Sequence, residues 1–131
     1  MVHIQYKLLP SKIHWIGCFA DENISKGFCV VEASPLLDIN LTKEQYSELS
    51  ISEQDEIRHH GHYDKITEKW HVDFDMIRFA NHSENPNLIQ LYNDKWYYIL
   101  SLWDIGSWEE LTINYSDFEY TNDTRWSNIF L

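Results

Sequence analysis

Residues 78–87 read Arg78-Phe79-Ala80-Asn81-His82-Ser83-Glu84-Asn85-Pro86-Asn87, and this stretch is the most informative part of the chain. Its apolar lead-in is followed by amide, imidazole and hydroxyl groups, at a point where asparagine and proline favour a backbone turn. Such a turn presents hydrogen-bonding groups to a small polar ligand. About a strand pair later, residues 109–115 read Glu109-Glu110-Leu111-Thr112-Ile113-Asn114-Tyr115. This alternation predicts a half-exposed strand over 110–115 that ends in a phenol.

A third stretch precedes these two. It reads Ser11-Lys12-Ile13-His14-Trp15-Ile16-Gly17-Cys18-Phe19-Ala20 and is followed by Ile24-Ser25-Lys26-Gly27. In this order, the three stretches resemble the motifs of the SET-domain family of protein lysine methyltransferases. The resemblance implies a mainly β (α+β) SET-type fold of small curved β-sheets, with a short helical insert and a knot-like C-terminal crossing.

The resemblance also implies a role for individual residues. It gives Tyr115 the catalytic place and gives Asn81 and His82 the contacts with S-adenosylmethionine. His14, Trp15 and Ile16 occupy the family's second cofactor-binding segment. With no cysteine-rich zinc segment after the domain, the wall of the substrate channel is expected from aromatic residues: Phe118, Tyr120 and Trp126, with Tyr63 as a further candidate.

Two tryptophans depart from the family pattern. Trp15 stands where the family has the first glycine of its glycine-x-glycine segment, and Trp108 stands where it usually has glycine before the paired glutamates. Glycine is the residue that adopts positive φ angles at little cost. The expected enzyme therefore has a rival, a non-catalytic SET-like module in which altered cofactor geometry leaves a groove for a peptide or for the cofactor alone.

The chain has 131 residues, enough for one domain and one modest core. The predicted division is an N-terminal β part (1–40), a variable helical insert (41–69), a C-terminal SET core (70–115) and an aromatic flank (116–131). Local patterns predict further strands and two short helices. The predicted strands are 2–9, 12–20, 28–32, 36–39, 70–74, 88–92 and 95–103, and the predicted helices are 42–49 and 52–59. Asn93-Asp94 suits the turn of a tight hairpin.

The formal net charge of -11 argues against nucleic acid or an anionic membrane as a direct partner, since both would be repelled. A basic protein substrate fits, such as a histone-like tail or a ribosomal protein, although the charge could equally serve solubility alone. No window approaches the roughly eighteen apolar residues of a membrane span. The expected location is intracellular, in the cytoplasm or in a host cell if the source is a phage or virus. The oligomeric state stays open, and a dimer is possible.

A third interpretation starts from His59-His60-Gly61-His62, with His14 and His71 as possible further metal ligands. No cysteine or acidic ligand lies at a recognised zinc spacing, so we expect no metal and interpret these histidines as a solvated helix end. Cys18 and Cys29 are expected to be buried and reduced. Glu109 and Glu110 should point to opposite faces of their strand, which argues against a cooperating acid-base pair.

Overall fold

The computed structural model describes residues 1–94 and 96–119, which form ten strands, two α-helices and two short 3-10 helices. The strands, in chain order, are β1 Tyr6–Pro10, β2 Ile16–Ala20, β3 Cys29–Glu32, β4 Ile39–Leu41, β5 His62–Asp64, β6 Lys69–Val72, β7 Asn81–His82, β8 Leu88–Tyr92, β9 Tyr97–Ser101 and β10 Glu110–Ile113. The helices are α1 Lys43–Glu48 and α2 Ile51–His60. The 3-10 helices are Met76–Phe79 and Tyr115–Asp117. This mainly β architecture confirms the predicted fold class.

A seven-stranded sheet forms the larger part of the fold. Its strands follow the order β1, β2, β10, β8, β9, β3, and β7 pairs with β10 off this path. Antiparallel pairing joins β10 to β2, whereas β7 and β8 both run parallel to β10. The last strand of the described residues, β10, therefore lies in the middle of the sheet, between N-terminal and central segments.

The helices and the second sheet occupy the middle of the chain. The second sheet has the order β4, β6, β5 and is antiparallel throughout. Thr42 and Ser50 cap the two helices, each through a reciprocal capping box with the residue three positions on. The sequence predicts both helices, but the second begins at Ile51 with Ser50 as its cap, one residue before the predicted start at Ser52. The C-terminal segment crosses back to this region, since the Lys65 amide donates to the Phe118 carbonyl at 2.9 Å.

The main core lies against the large sheet. Its fully buried side chains include Val30, Val31, Leu88, Ile99 and Leu111. The predicted hairpin is confirmed, with β8 and β9 paired from Leu88 opposite Ser101 to Tyr92 opposite Tyr97. Within the described ranges, no helix has both the length and the apolar character needed to cross a bilayer.

Three predicted strand starts are wrong. The first strand begins at Tyr6, and Val2 makes only an isolated bridge. The second begins at Ile16, because the Ser11 hydroxyl accepts hydrogen bonds from the two backbone amides that follow Lys12 and fixes a turn there. The strand predicted from residue 36 begins at Ile39, as β4, because the residues before it form a turn in which the Asp38 amide donates to the Ser34 carbonyl at 3.0 Å.

Two burial predictions also need correction. Residues 111–113 are all buried, although alternation predicts a half-exposed strand. The outer face is covered because Asn87 exchanges hydrogen bonds with Thr112: the Thr112 amide donates to Asn87 Oδ1 at 2.9 Å, and the Asn87 amide donates to the threonine hydroxyl. Cys18 and Cys29 are both free thiols, but only Cys18 is buried.

Candidate functional site

The parallel pairing of β7 with β10 brings two of the sequence motifs together. Thr112 lies opposite Asn81 and Ile113 lies opposite His82. Tyr115 follows two residues later, and its backbone amide donates to Nδ1 of His82 at 3.1 Å. Residues more than thirty positions apart in the chain therefore form one continuous site.

The Asn81 amide ties β7 to the N-terminal motif. Its Nδ2 lies 3.2 Å from the carbonyl oxygens of His14 and Ile16, 3.1 Å from Ser11 Oγ and 2.8 Å from Glu110 Oε2. All four contacts are acceptors, so the amide nitrogen is directed into the protein. The side-chain oxygen is then the Asn81 atom that remains for a ligand donor.

Glu110 completes this cluster from the start of β10. Its carboxylate accepts from the Ser11 hydroxyl at 2.7 Å and from Asn81 at 2.8 Å. A Cβ at Gly17 would lie 2.5 Å from Glu110 Oε2, closer than side-chain atoms approach one another. Gly17 is therefore the position that admits the carboxylate. The adjacent Glu109 is exposed and accepts from the Gly106 amide, so the two glutamates serve different faces, as the strand pattern predicts.

The two tryptophans at family glycine positions keep a glycine-like backbone. Trp15 has a φ of 35° and Trp108 has a φ of 76°, both in the region that side chains rarely adopt. Their rings point outward, with 74% of Trp15 and 56% of Trp108 exposed. The Lys7 ammonium lies 4.5 Å from the centre of the Trp108 ring. The turns are thus retained, and the indoles lie at the surface.

Tyr115 directs its hydroxyl back toward the asparagine turn. The hydroxyl donates to the carbonyl of Ala80 at 2.9 Å, immediately before Asn81. Burial, and after it the nearby carboxylate of Glu119, raise the pKa of the Tyr115 phenol well above its usual range. The phenol therefore keeps its proton at neutral pH and acts as a donor rather than as a base.

A narrow pocket opens beside this hydroxyl, with a cavity volume of about 30 Å³. Phe118 lines it, with its ring centre 5.8 Å from that of Tyr115. His62 lines it as well and packs 4.5 Å from the Phe118 ring centre. The remaining lining residues are His60, Asp73, Ile77, Arg78, Ala80, Gln90 and Ile113. Most of the wall is apolar, so the pocket suits an unbranched side chain that has left water.

The other predicted channel residues have different positions. Tyr63 lies on β5 and packs against Trp70, with ring centres 5.6 Å apart, and it is not among the described residues that line the Tyr115 pocket. Tyr120 and Trp126 lie outside the described residues. Of the predicted channel residues that the structure describes, Phe118 lines the Tyr115 pocket and Tyr63 does not.

The histidine cluster divides into two environments. His59 and His60 are exposed at the end of α2, where a solvated helix end was expected. His62 is buried with 7% exposure, so the solvated interpretation is wrong for it, because β5 directs its ring against Phe118. No group of potential metal ligands in the described part of the chain includes these three histidines.

A buried polar network next to the pocket escaped sequence analysis. His71 on β6 contacts Asn40 Oδ1 at 2.6 Å and Asp73 Oδ1 at 2.8 Å through its two ring nitrogens, and Tyr97 donates to the same carboxylate. Burial opposes the charged imidazole, but the charge and hydrogen bond of Asp73, with Asp38 nearby, outweigh it and raise the pKa of His71. When the imidazole is protonated, His71 and Asp73 form a buried ion pair. The sequence signal for this pair is weak: an imidazole and a carboxylate two residues apart, at positions 71 and 73.

Comparison with known proteins adds a family and a fold. Residues 16–116 match the model of the SET domain family. No curated protein matches the chain. A humanized mutant of the Chaetomium thermophilum Polycomb Repressive Complex 2, bound to an inhibitor, superposes with a TM-score of 0.69 at 23% identity, covering 95% of this chain and 16% of that one. A candidate histone methyltransferase of Plasmodium falciparum gives a TM-score of 0.61 at 15% identity, covering 87% of this chain and 95% of that one.

Both structural matches have low sequence identity to this chain. At such identities the likeness establishes a shared fold. The chain spans only about a sixth of the length of the Chaetomium protein, so it is similar to one part of a larger polypeptide.

Proposed function

The chain belongs to the SET-domain family, and from that premise we propose that it is a protein-lysine N-methyltransferase that uses S-adenosylmethionine. The observation that carries the proposal is the convergence of Asn81 and Tyr115. In the β7–β10 pair Asn81 lies opposite Thr112, three residues before Tyr115, and the Tyr115 hydroxyl bonds to the carbonyl just before Asn81. One motif can then hold a cofactor while the other faces the acceptor amine.

The residues around the asparagine turn fit this cofactor. Asn81 offers Oδ1 to an ammonium group, because the contacts of its nitrogen turn that nitrogen inward. The exposed indole of Trp15 offers a flat face to a purine beside the turn at 14–16. His82 is exposed on the same strand as Asn81. When bound, the cofactor would supply an electrophilic methyl group on a sulfonium centre.

The chain's own residues then have two tasks. Tyr115, neutral because its pKa is raised, can orient an uncharged amine through its hydroxyl. The apolar walls contributed by Ile77, Ile113 and Phe118 exclude water from the lysine side chain. Alignment and desolvation are the main sources of acceleration in this proposal, since no general base of suitable pKa is required.

The substrate proposal rests on charge. At a net charge of -11, the protein attracts basic segments and repels polyanions. A lysine within a basic protein segment, such as a histone-like tail or a ribosomal protein, is the substrate class that fits. We place the reaction inside the cell, where such segments occur.

Two substitutions test the enzyme. Asn81→Ala should weaken binding of S-adenosylmethionine in calorimetry, while Asn85→Ala, in the same turn but exposed, should leave it unchanged. Tyr115→Phe should retain cofactor binding and lose at least about tenfold in turnover, the lower range for loss of one orienting group. Tyr6→Phe, on β1, is the matched control. Turnover is followed by mass spectrometry of lysines in a basic peptide mixture.

The same experiment separates the rival module from the enzyme. Undiminished methyl transfer by Tyr115→Phe would remove the catalytic assignment. Cofactor binding without transfer to any basic peptide or extract protein would instead favour a binding module. Because Asn81 also ties three segments together, thermal unfolding of Asn81→Ala must be measured alongside its affinity.

A further inference from the structure

A second cavity, the apolar groove, is bounded by α2 and by the strands β4 and β6. Its cavity volume is about 280 Å³. Apolar residues from β4, α2, β6 and the adjoining loops form most of its wall: Leu37, Ile39, Ile57, Val72 and Phe74. Its polar residues are Glu56, His60, Asp73 and Arg78. The groove is larger and more open than the pocket beside Tyr115.

The two cavities are neighbours. His60, Asp73 and Arg78 line both of them. A chain segment that sends one side chain toward Tyr115 therefore passes the mouth of the apolar groove. Successive side chains of an extended segment point to opposite sides about 3.3 Å apart, so a residue near the inserted one can reach the groove.

Three of the apolar side chains that line the groove are exposed to solvent. Phe74 is 64% exposed, Leu37 57% and Ile39 44%. Contiguous exposed apolar side chains typically mark a surface that a partner covers. The backbone beneath is firmly held, since the Phe74 amide donates to the buried Asp38 carboxylate at 3.0 Å. The surface is thus a formed wall rather than a loose loop.

We infer that the apolar groove binds a large apolar side chain of the substrate protein, close in sequence to the lysine that enters the Tyr115 pocket. This inference rests on the proposed function and adds a sequence preference to it. Continuity of the two cavities favours the substrate segment as occupant. A second copy of this chain fits less well, because both copies carry a net charge of -11 and repel each other.

The test uses peptides with one central lysine in a basic background, in which each flanking position is set in turn to leucine or alanine. For wild-type protein, one flanking position should give a kcat/KM about tenfold higher with leucine than with alanine, the lower range for burying one large apolar side chain. Leu37→Ser and Phe74→Ser should each reduce this ratio toward one. Leu36→Ser is the matched control, because Leu36 is 93% exposed and does not line the groove.

The outcomes separate the two proposals. Absence of methyl transfer to every peptide would overturn the proposed function itself. Transfer with equal rates for leucine and alanine at all positions would overturn the inference alone. The inference also fails if Leu37→Ser slows both peptides equally, or if it converts a dimer to a monomer in sedimentation without changing the ratio.

Discussion

Replacement of Glu110 by alanine should destabilise the protein far more than the same change at its neighbour Glu109. The Glu110 carboxylate accepts short hydrogen bonds from Ser11 and Asn81, which come from segments 99 and 29 residues away. It therefore links the start of β10 to both other motifs. Glu109 is exposed, and its side chain bonds to the Gly106 amide within a local turn.

The magnitude follows from these contacts. A hydrogen bond to a charged group contributes roughly 1.5–3 kcal/mol. Because Glu110 is only partly buried, and because Asn81 Nδ2 keeps the backbone acceptors of His14 and Ile16, the total should lie near the value of one such bond. We expect Glu110→Ala to lower the free energy of unfolding by about 2 kcal/mol, or the melting temperature by about 8 °C. Glu109→Ala should cost at most about 0.5 kcal/mol.

Urea and thermal unfolding of both variants measure the difference. Glu110→Gln is the informative third variant, because its amide can still accept from one neighbour and should recover part of the loss. The reasoning is refuted if the two alanine variants lose the same stability. It is also refuted if Glu110→Gln, which keeps the volume of the side chain, is as stable as wild type, since packing rather than hydrogen bonding to the carboxylate would then carry the effect.

Two further predictions concern the same region and the buried ion pair. Gly17→Ala should lower the free energy of unfolding by about 1–3 kcal/mol, because the added Cβ overpacks against Glu110. This destabilisation should largely disappear in a Glu110→Ala background, as a double-mutant cycle in urea would show. Because its folded-state pKa is raised, His71 contributes stability that is complete below its unfolded pKa of about 6.5 and is lost as pH rises through the folded value. Unfolding free energies measured above pH 6.5 should therefore fall by up to about 1.4 kcal/mol per pH unit in wild type. That decline should be absent in His71→Asn, and an unchanged slope in this variant would contradict the assignment.

The parts of the fold with local signals could be predicted from the sequence. Acidic first turns and capping hydroxyls indicate both helices, although the second is capped by Ser50 and not from the predicted start at Ser52, and Asn93-Asp94 marks the hairpin. In each case the deciding hydrogen bonds or turn angles involve residues within a few positions. The family motifs then supplied the fold class, because their order along the chain is specific.

The remaining features depend on distant contacts. Thr112 is buried by Asn87, twenty-five residues away, and His62 is buried by Phe118. No local pattern distinguishes a strand that is covered on both faces from one that is covered on one. The structural role of the Glu110 carboxylate could not be predicted either, since its hydrogen-bond partner Ser11 lies 99 residues away. Positive φ at Trp15 likewise follows from the turn as a whole, because tryptophan itself disfavours it.

The central position of β10 has a consequence for synthesis of the protein. A nascent chain emerges from the ribosome N-terminus first, so β2 can pair with β1 early, whereas β10, the partner of β7 and the second partner of β2, exists only when residues 110–113 have been made. Until then the asparagine turn has no neighbouring strand, and the phenol of Tyr115 does not yet exist. Asn81 and Tyr115 therefore come together late relative to the local β8–β9 hairpin, because their contact depends on a strand made after both strands of that hairpin.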